Sequence, residues 1–163
     1  MRIAASAVQG LAFANGLPAI AVSSLACQAQ TALRLGCVSA GDTALSVMDA
    51  RINEIYWATC LVEDGVMVLY HGPVVGAPQS VFPEPCNKLV AVGGGTAYAA
   101  LLPDSVVNTL SAMHLDILPS ARDLLPLALK KLADGELQQA SDVAPVYVRE
   151  EVSWKKLAEQ GKR

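Results

Sequence analysis

Residues 45–70, LSVMDARINEIYWATCLVEDGVMVLY, read as apolar strand-like runs separated by polar turns, and this stretch predicts the middle of a sheet. Residues 45–48 are an apolar run that stops at Asp49, and Asp49, Arg51 and Asn53 make a polar first turn. Residues 54–62 are rich in β-branched and aromatic types. Ile55, Trp57, Thr59 and Leu61 fall on one face, with Tyr56, Ala58, Cys60 and Val62 on the other. Both faces can therefore be covered. Glu63-Asp64-Gly65 is a hairpin turn, because Asp-Gly supplies positive φ angles, and residues 66–70 return as a third strand.

Upstream, residues 2–15 predict a helix that ends at Gly16, with Pro18 beyond it as a stop. Ile3, Ala7, Leu11 and Ala14 form one apolar stripe on it, and Ala4, Val8 and Ala12 form a second. A helix apolar on more than one face is either buried in its own domain or shared with another chain. Residues 17–22 read as a short buried strand. Ser23 and Ser24 then offer capping hydroxyls to a second helix over residues 25–35, closed by Gly36, with Leu25, Ala29, Ala32 and Leu33 towards one side. Helix, strand, helix and a three-stranded unit make an α/β arrangement.

Downstream, residues 72–85 hold four of the nine prolines and predict a loop, with one helical turn near residues 78–82. A short buried strand over residues 89–92 runs into Gly93-Gly94-Gly95 and a helix over residues 96–102. That layout can present backbone N–H groups to a phosphate. No GxGxxG and no Gly-Lys-Ser/Thr accompanies it, so a tight turn is the simpler reading. Residues 115–118 predict another strand. Ser120 caps a helix over residues 121–133, with Asp123 as its capping partner, Gly135 as its stop and Pro126 as a kink or a late start. The tail, VAPVYVREEVSWKK, opens extended at Val146-Tyr147-Val148. Its basic end, Lys155, Lys156, Lys162 and Arg163, reads as a solvated terminus.

Composition changes this picture in one respect. Of 163 residues, 53% are hydrophobic, 17% charged and 5% aromatic, which leaves little polar surface and implies that some apolar surface is hidden in a partner. A net charge of −3 argues against a broad phosphate-binding surface. Arg2 ahead of small apolar residues, with Leu25-Ala26-Cys27 further on, has a faint lipoprotein-signal look. Gln9, Asn15, Gly16 and Pro18 interrupt it, no apolar run is long enough to span a bilayer, and it reads as folded structure. Cys27, Cys37, Cys60 and Cys86 show no CxxC and read as reduced core residues.

Candidate chemistry is thin. His71 and His114 stand far apart, with no HExxH, and neither a GxSxG elbow nor a Cys-His signature is present. The best polar constellation is Asp49, Arg51 and Glu54, where a carboxylate–guanidinium pair that fixes the turn suffices as explanation. The profile suits a binding or scaffolding protein better than an enzyme.

Four segments taken together are specific: RIAASAVQGLAFANGLPAIAVSSL (2–25), MDARINEIYWA (48–58), ILPSARDLLPLA (117–128) and PVYVREEVSWKKL (145–157). In content and order they resemble the TsaB (YeaZ) family, which serves in making N6-threonylcarbamoyladenosine (t6A) at adenosine 37 of tRNA. The resemblance implies an actin-like, Hsp70-like ATPase (ASKHA) architecture of two related lobes. The family's opening strands and its glycine-rich GPGSFTGVR loop have no counterpart here, so the resemblance implies an N-terminally truncated form with an incomplete first lobe. Residues 1–42 would be the remainder of the N-terminal lobe and residues 43–163 the C-terminal lobe.

It further implies a cytoplasmic, non-catalytic subunit that dimerises with the catalytic paralogue TsaD, has TsaE as a further ATPase partner, and meets tRNA indirectly. The contact would use the two N-terminal helices, through Ala4, Ala7, Val8, Leu11, Leu25, Ala29 and Leu33. The family lacks the metal-binding histidine pair of its paralogue. No cofactor would be bound by this chain alone, with ATP or ADP confined to the partner interface, and no membrane is involved. The alternative is a self-associating homodimer with residual nucleotide binding or a glycoprotease-like, peptidase-like activity.

Overall fold

In the computed structural model, which describes residues 2–149 apart from residues 85 and 87, the apolar run after residue 54 becomes the centre of a five-stranded sheet. β1 (Thr43–Arg51), β2 (Glu54–Glu63) and β3 (Val66–Gly76) run antiparallel in succession. β4 (Leu89–Val92) and β5 (Leu110–His114) add parallel strands beyond β1, giving the order β3-β2-β1-β4-β5. The parallel half forms because each return passes through a covering segment and not a hairpin.

Both faces of the sheet are covered, as the doubly apolar β2 requires. On one face lies α2 (Ser24–Arg34), whose Ala29 and Ala32 are fully buried over Ala44, Cys60 and Val90. Alanine at these positions lets the helix backbone sit close to the strands. α4 (Leu124–Ala133) packs beside α2 through Leu127 against Ala26 and Cys27. The opposite face carries Leu45, Val47, Ile55 and Trp57, closed by Val81 from the segment after β3, Leu102 just past the 3₁₀ stretch Gly94–Leu101, and Val106 of α3 (Asp104–Val107).

Gly93 and Gly95 show what the triple glycine is for. A Cβ on Gly93, at φ 102°, would lie 2.3 Å from Gln28 Nε2, and one on Gly95 would lie 2.4 Å from Val47 Cγ1. Close packing of this turn against α2 and β1 accounts for both.

Several elements depart from the sequence expectation. Residues 17–22 form one isolated bridge, Ala19 to Gln138, and not a strand, because their partner is a single residue after α4. β3 continues to Gly76, where a loop was expected from residue 72; register shifts opposite Thr59 absorb Pro73, which donates no ladder hydrogen bond. Among the described residues the last strand is Leu110–His114 and not residues 115–118. Neither Ser23 nor Ser120 makes a side-chain cap. Pro126 is a late start: a 3₁₀ turn, Ala121–Asp123, precedes α4, and the proline sits in the first helical turn, where no N–H is required.

Candidate interaction site

α1 (Arg2–Asn15) has the predicted bounds but rests lightly on the rest of the chain, with Ala12 its one buried residue. It is held by a strap running from the 3₁₀ turn Ala140–Asp142 to Arg149. Gln9 Nε2 donates to the Ser141 carbonyl at 3.3 Å, and the Arg2 guanidinium stands 5.5 Å over the Tyr147 ring. With Ala12 turned inward, the two apolar stripes join into one outward face of Ile3, Ala4, Ala7, Val8, Leu11 and Ala14, all exposed. Leu11 is 67% exposed.

Of the expected contact residues, then, Ala4, Ala7, Val8 and Leu11 share an open surface. Leu25 and Ala29 do not: both are buried inside the chain, and Leu33 is half-buried against the same core. The small-residue face of α2 serves its own sheet, so those three side chains are corrected from the contact set.

The polar constellation at the β1–β2 turn is also assembled differently. Asp49 Oδ1 accepts the main-chain N–H of Arg51 at 2.8 Å. Glu54 pairs with Arg149, from the end of the strap, and Arg149 also donates to the Ala50 carbonyl at 3.3 Å. The guanidinium that fixes this turn thus comes from far along the chain. Local spacing made Arg51 the nearer candidate, and no periodicity in the sequence pointed to Arg149.

Among the described residues, reactive groups do not converge elsewhere. Among the described residues no cluster of three or more His, Cys, Asp or Glu is placed to hold a metal ion. His71 stacks on Trp57, with ring centroids 5.1 Å apart, and His114 closes β5. All four cysteines are free. A cavity of about 140 Å³ lies among Thr43, Thr59, Leu61, Tyr70, Glu84 and Cys86, a lining with one carboxylate, one thiol and no histidine or lysine. No described helix is long and apolar enough to cross a membrane. The basic tail, Lys155, Lys156, Lys162 and Arg163, lies outside the described residues.

Comparison with known proteins decides the family. The chain is 34% identical over 164 residues to the Escherichia coli (strain K12) tRNA threonylcarbamoyladenosine biosynthesis protein TsaB, covering 96% of this chain and 68% of that one. The Haemophilus influenzae protein of the same name is 32% identical over 165 residues, covering 96% and 67%. This chain belongs to the TsaB family. No protein-family model matches the chain. Among solved structures, a Pseudomonas aeruginosa protein described as similar to peptidase YEAZ superposes with a TM-score of 0.82 at 36% identity, covering 91% of this chain and 67% of that one. A second, YeaZ from Pseudomonas aeruginosa, gives 0.81 at 36% identity, covering 90% and 66%. The TsaB-family assignment and the 3-2-1-4-5 sheet agree on the α/β, actin-like fold expected from the sequence.

Proposed function

We propose that the chain takes part in t6A biosynthesis on tRNA as a non-catalytic subunit, docking onto the catalytic paralogue TsaD through the outward face of α1. The observation that carries this reading is the continuous apolar surface of Ala4, Ala7, Val8 and Leu11 on a helix that buries almost nothing in its own chain. Family membership supports the pathway. The scatter of reactive groups supports a supporting role over chemistry. On this reading the complex works in the cytoplasm and tRNA is met through the partner. TsaE is a further member, this chain alone binds no cofactor, and ATP or ADP is held only at the interface.

Small residues on the exposed face let a second backbone approach closely, and Leu11 supplies the largest central contact. Molar mass in solution, alone and with cognate TsaD, tests the reading. A one-to-one heterodimer is expected, and Leu11→Glu should abolish it while thermal unfolding of the sheet stays as in the parent. A homodimer that ignores TsaD, or pairing that survives Leu11→Glu, overturns the assignment.

A further inference from the structure

We propose that the cavity between the start of β1 and the segment after β3 binds a short aliphatic amino alcohol, with its hydroxyl on Thr59 and its ammonium at Glu84. The site is independent of the docking reading above. Thr43 opens β1, whereas the polar turn at Asp49 lies at the strand's other end. Thr59 and Leu61 of β2, Tyr70 of β3, and Glu84 and Cys86 of the segment before β4 complete the lining.

Thr59 sets this cavity apart. The residue is fully buried, yet among the described residues its hydroxyl has no hydrogen-bond partner. An unpaired buried hydroxyl destabilises the chain that carries it, and a valine would fill the same space without that cost. The ladder to β3 shifts register on both sides of Thr59, and irregularities of this kind re-aim side chains next to binding sites. Exposure around the cavity is graded. Thr59 and Thr43 are buried, Cys86 is partly exposed, and Tyr70 and Glu84 are exposed, so the threonines form the floor and the last two the mouth.

Size and lining choose the ligand. About 140 Å³ is close to the ~150 Å³ cavity that takes a benzene-sized molecule, so a body of about six heavy atoms fits. Water alone is a poor occupant, because each buried water needs several polar partners and the Leu61 side chain and Tyr70 ring give none. The lining carries no lysine, arginine or histidine, and nearby Lys88 is turned onto Asp42 at 3.0 Å, so an anion would find no counter-charge. Glu84 at the mouth pairs with an ammonium that stays partly hydrated there, and Tyr70 gives that cation an aromatic neighbour. An apolar chain then crosses Leu61, and a hydroxyl at its far end meets Thr59, where either oxygen can donate.

The full chain, isotope-labelled, is titrated by NMR with aminobutanol, pentanol and hydroxybutyrate, and Cys86 alkylation is timed with and without each. Aminobutanol is expected to bind in the millimolar range and to shift the amide signals of Thr43, Thr59, Leu61 and Tyr70. It should slow alkylation of Cys86 while Cys37, outside the cavity, reacts as before. Thr59→Val is expected to weaken binding about fivefold or more and to raise the Tm by about 2 °C. Glu84→Gln should weaken the same ligand about fivefold or more and leave the Tm unchanged. A chain that grows more stable and binds worse is what a purely structural threonine cannot give. Pentanol or hydroxybutyrate binding as tightly as aminobutanol overturns the ligand class. No binding of aminobutanol, or Thr59→Val binding it like the parent, overturns the site. A lowered Tm in Thr59→Val overturns it too, since the hydroxyl would then be satisfied inside the chain.

Discussion

Arg34 and Asp123, 89 residues apart, meet in a two-pronged pair: Arg34 Nε lies 2.6 Å from Asp123 Oδ1 and Nη2 lies 2.8 Å from Oδ2. The Thr31 hydroxyl donates to the same carboxylate at 2.8 Å, so α2 grips the turn that begins α4. Asp123 is buried, and the Arg34 hydrogen bonds hold its carboxyl below the ordinary carboxylate value despite that burial. Asp123→Ala leaves the Arg34 guanidinium without its carboxylate, while the Thr31 hydroxyl keeps the Cys27 carbonyl at 3.0 Å, and should destabilise by about 2 kcal/mol in denaturant unfolding. Because the folded value is depressed, this stabilisation is complete above the ordinary carboxylate range and is lost as pH falls through that range towards the folded value. Asp123→Asn should therefore lose less stability than the parent on acidification. Equal acid sensitivity would remove Asp123 from this role.

Gln28 ties three elements together. From α2, its Nε2 donates to the Ile117 carbonyl at 2.8 Å and its Oε1 accepts from the Ser46 hydroxyl at 2.7 Å, all of it buried. Gln28→Leu preserves size but strands both groups, and should cost roughly 3 kcal/mol. Gly93→Ala should cost about 4 kcal/mol or more, because its Cβ would meet Gln28 Nε2 at 2.3 Å and the Val47 carbonyl at 2.5 Å. The pair should be partly non-additive, since leucine lacks the Nε2 that the new Cβ would meet while the Val47 carbonyl contact remains. Simple additivity in a double-mutant cycle would contradict the packing described.

The sheet's centre was legible because β2 is an apolar run rich in β-branched and aromatic residues bounded by turn signals, and α1 because Gly16 and Pro18 end it sharply. The continuation of β3 was not: Gly72 and Pro73 read as a loop, and the register shifts that keep them in the strand depend on β2 across the ladder. The small residues of α2 and α1 looked alike in sequence, yet Ala29 lies on the chain's own sheet while Ala7 faces out. Periodicity gives a face, and only the partner surface says whether the face is spent inside. Arg149 was invisible for the same reason, its role at the β1–β2 turn being fixed by a contact across 95 residues.

Thiol reactivity should divide the four cysteines in half. Cys27 and Cys60 are buried; desolvation raises the Cys27 thiol, with Asp123 adding to it, and pushes Cys60 up to about 12. Cys37 and Cys86 are partly exposed. Ellman's reagent on the folded chain at pH 8 should titrate two thiols quickly and all four in denaturant. Cys86→Ala should halve the fast amplitude and Cys60→Ala should leave it unchanged. A fast third thiol would show that one face of the sheet opens readily.

The strap offers the last test, because stability and local order should respond differently to its loss. The Glu54 side chain is partly exposed, so the Arg149 pair adds little to global stability, less than about 1 kcal/mol. Yet α1 buries only Ala12 and relies on Gln9 and Arg2 meeting the strap. Arg149→Ala should leave the unfolding midpoint within a degree or two, while hydrogen exchange in α1 quickens at least tenfold and exchange in β1 and β2 stays slow. If α1 keeps its protection in this variant, the helix is held by its own turn at Gly16 and the Ala19–Gln138 bridge, and the strap is a passenger. If β1 and β2 loosen as well, the ion pair belongs to the fold and not to the placement of the helix.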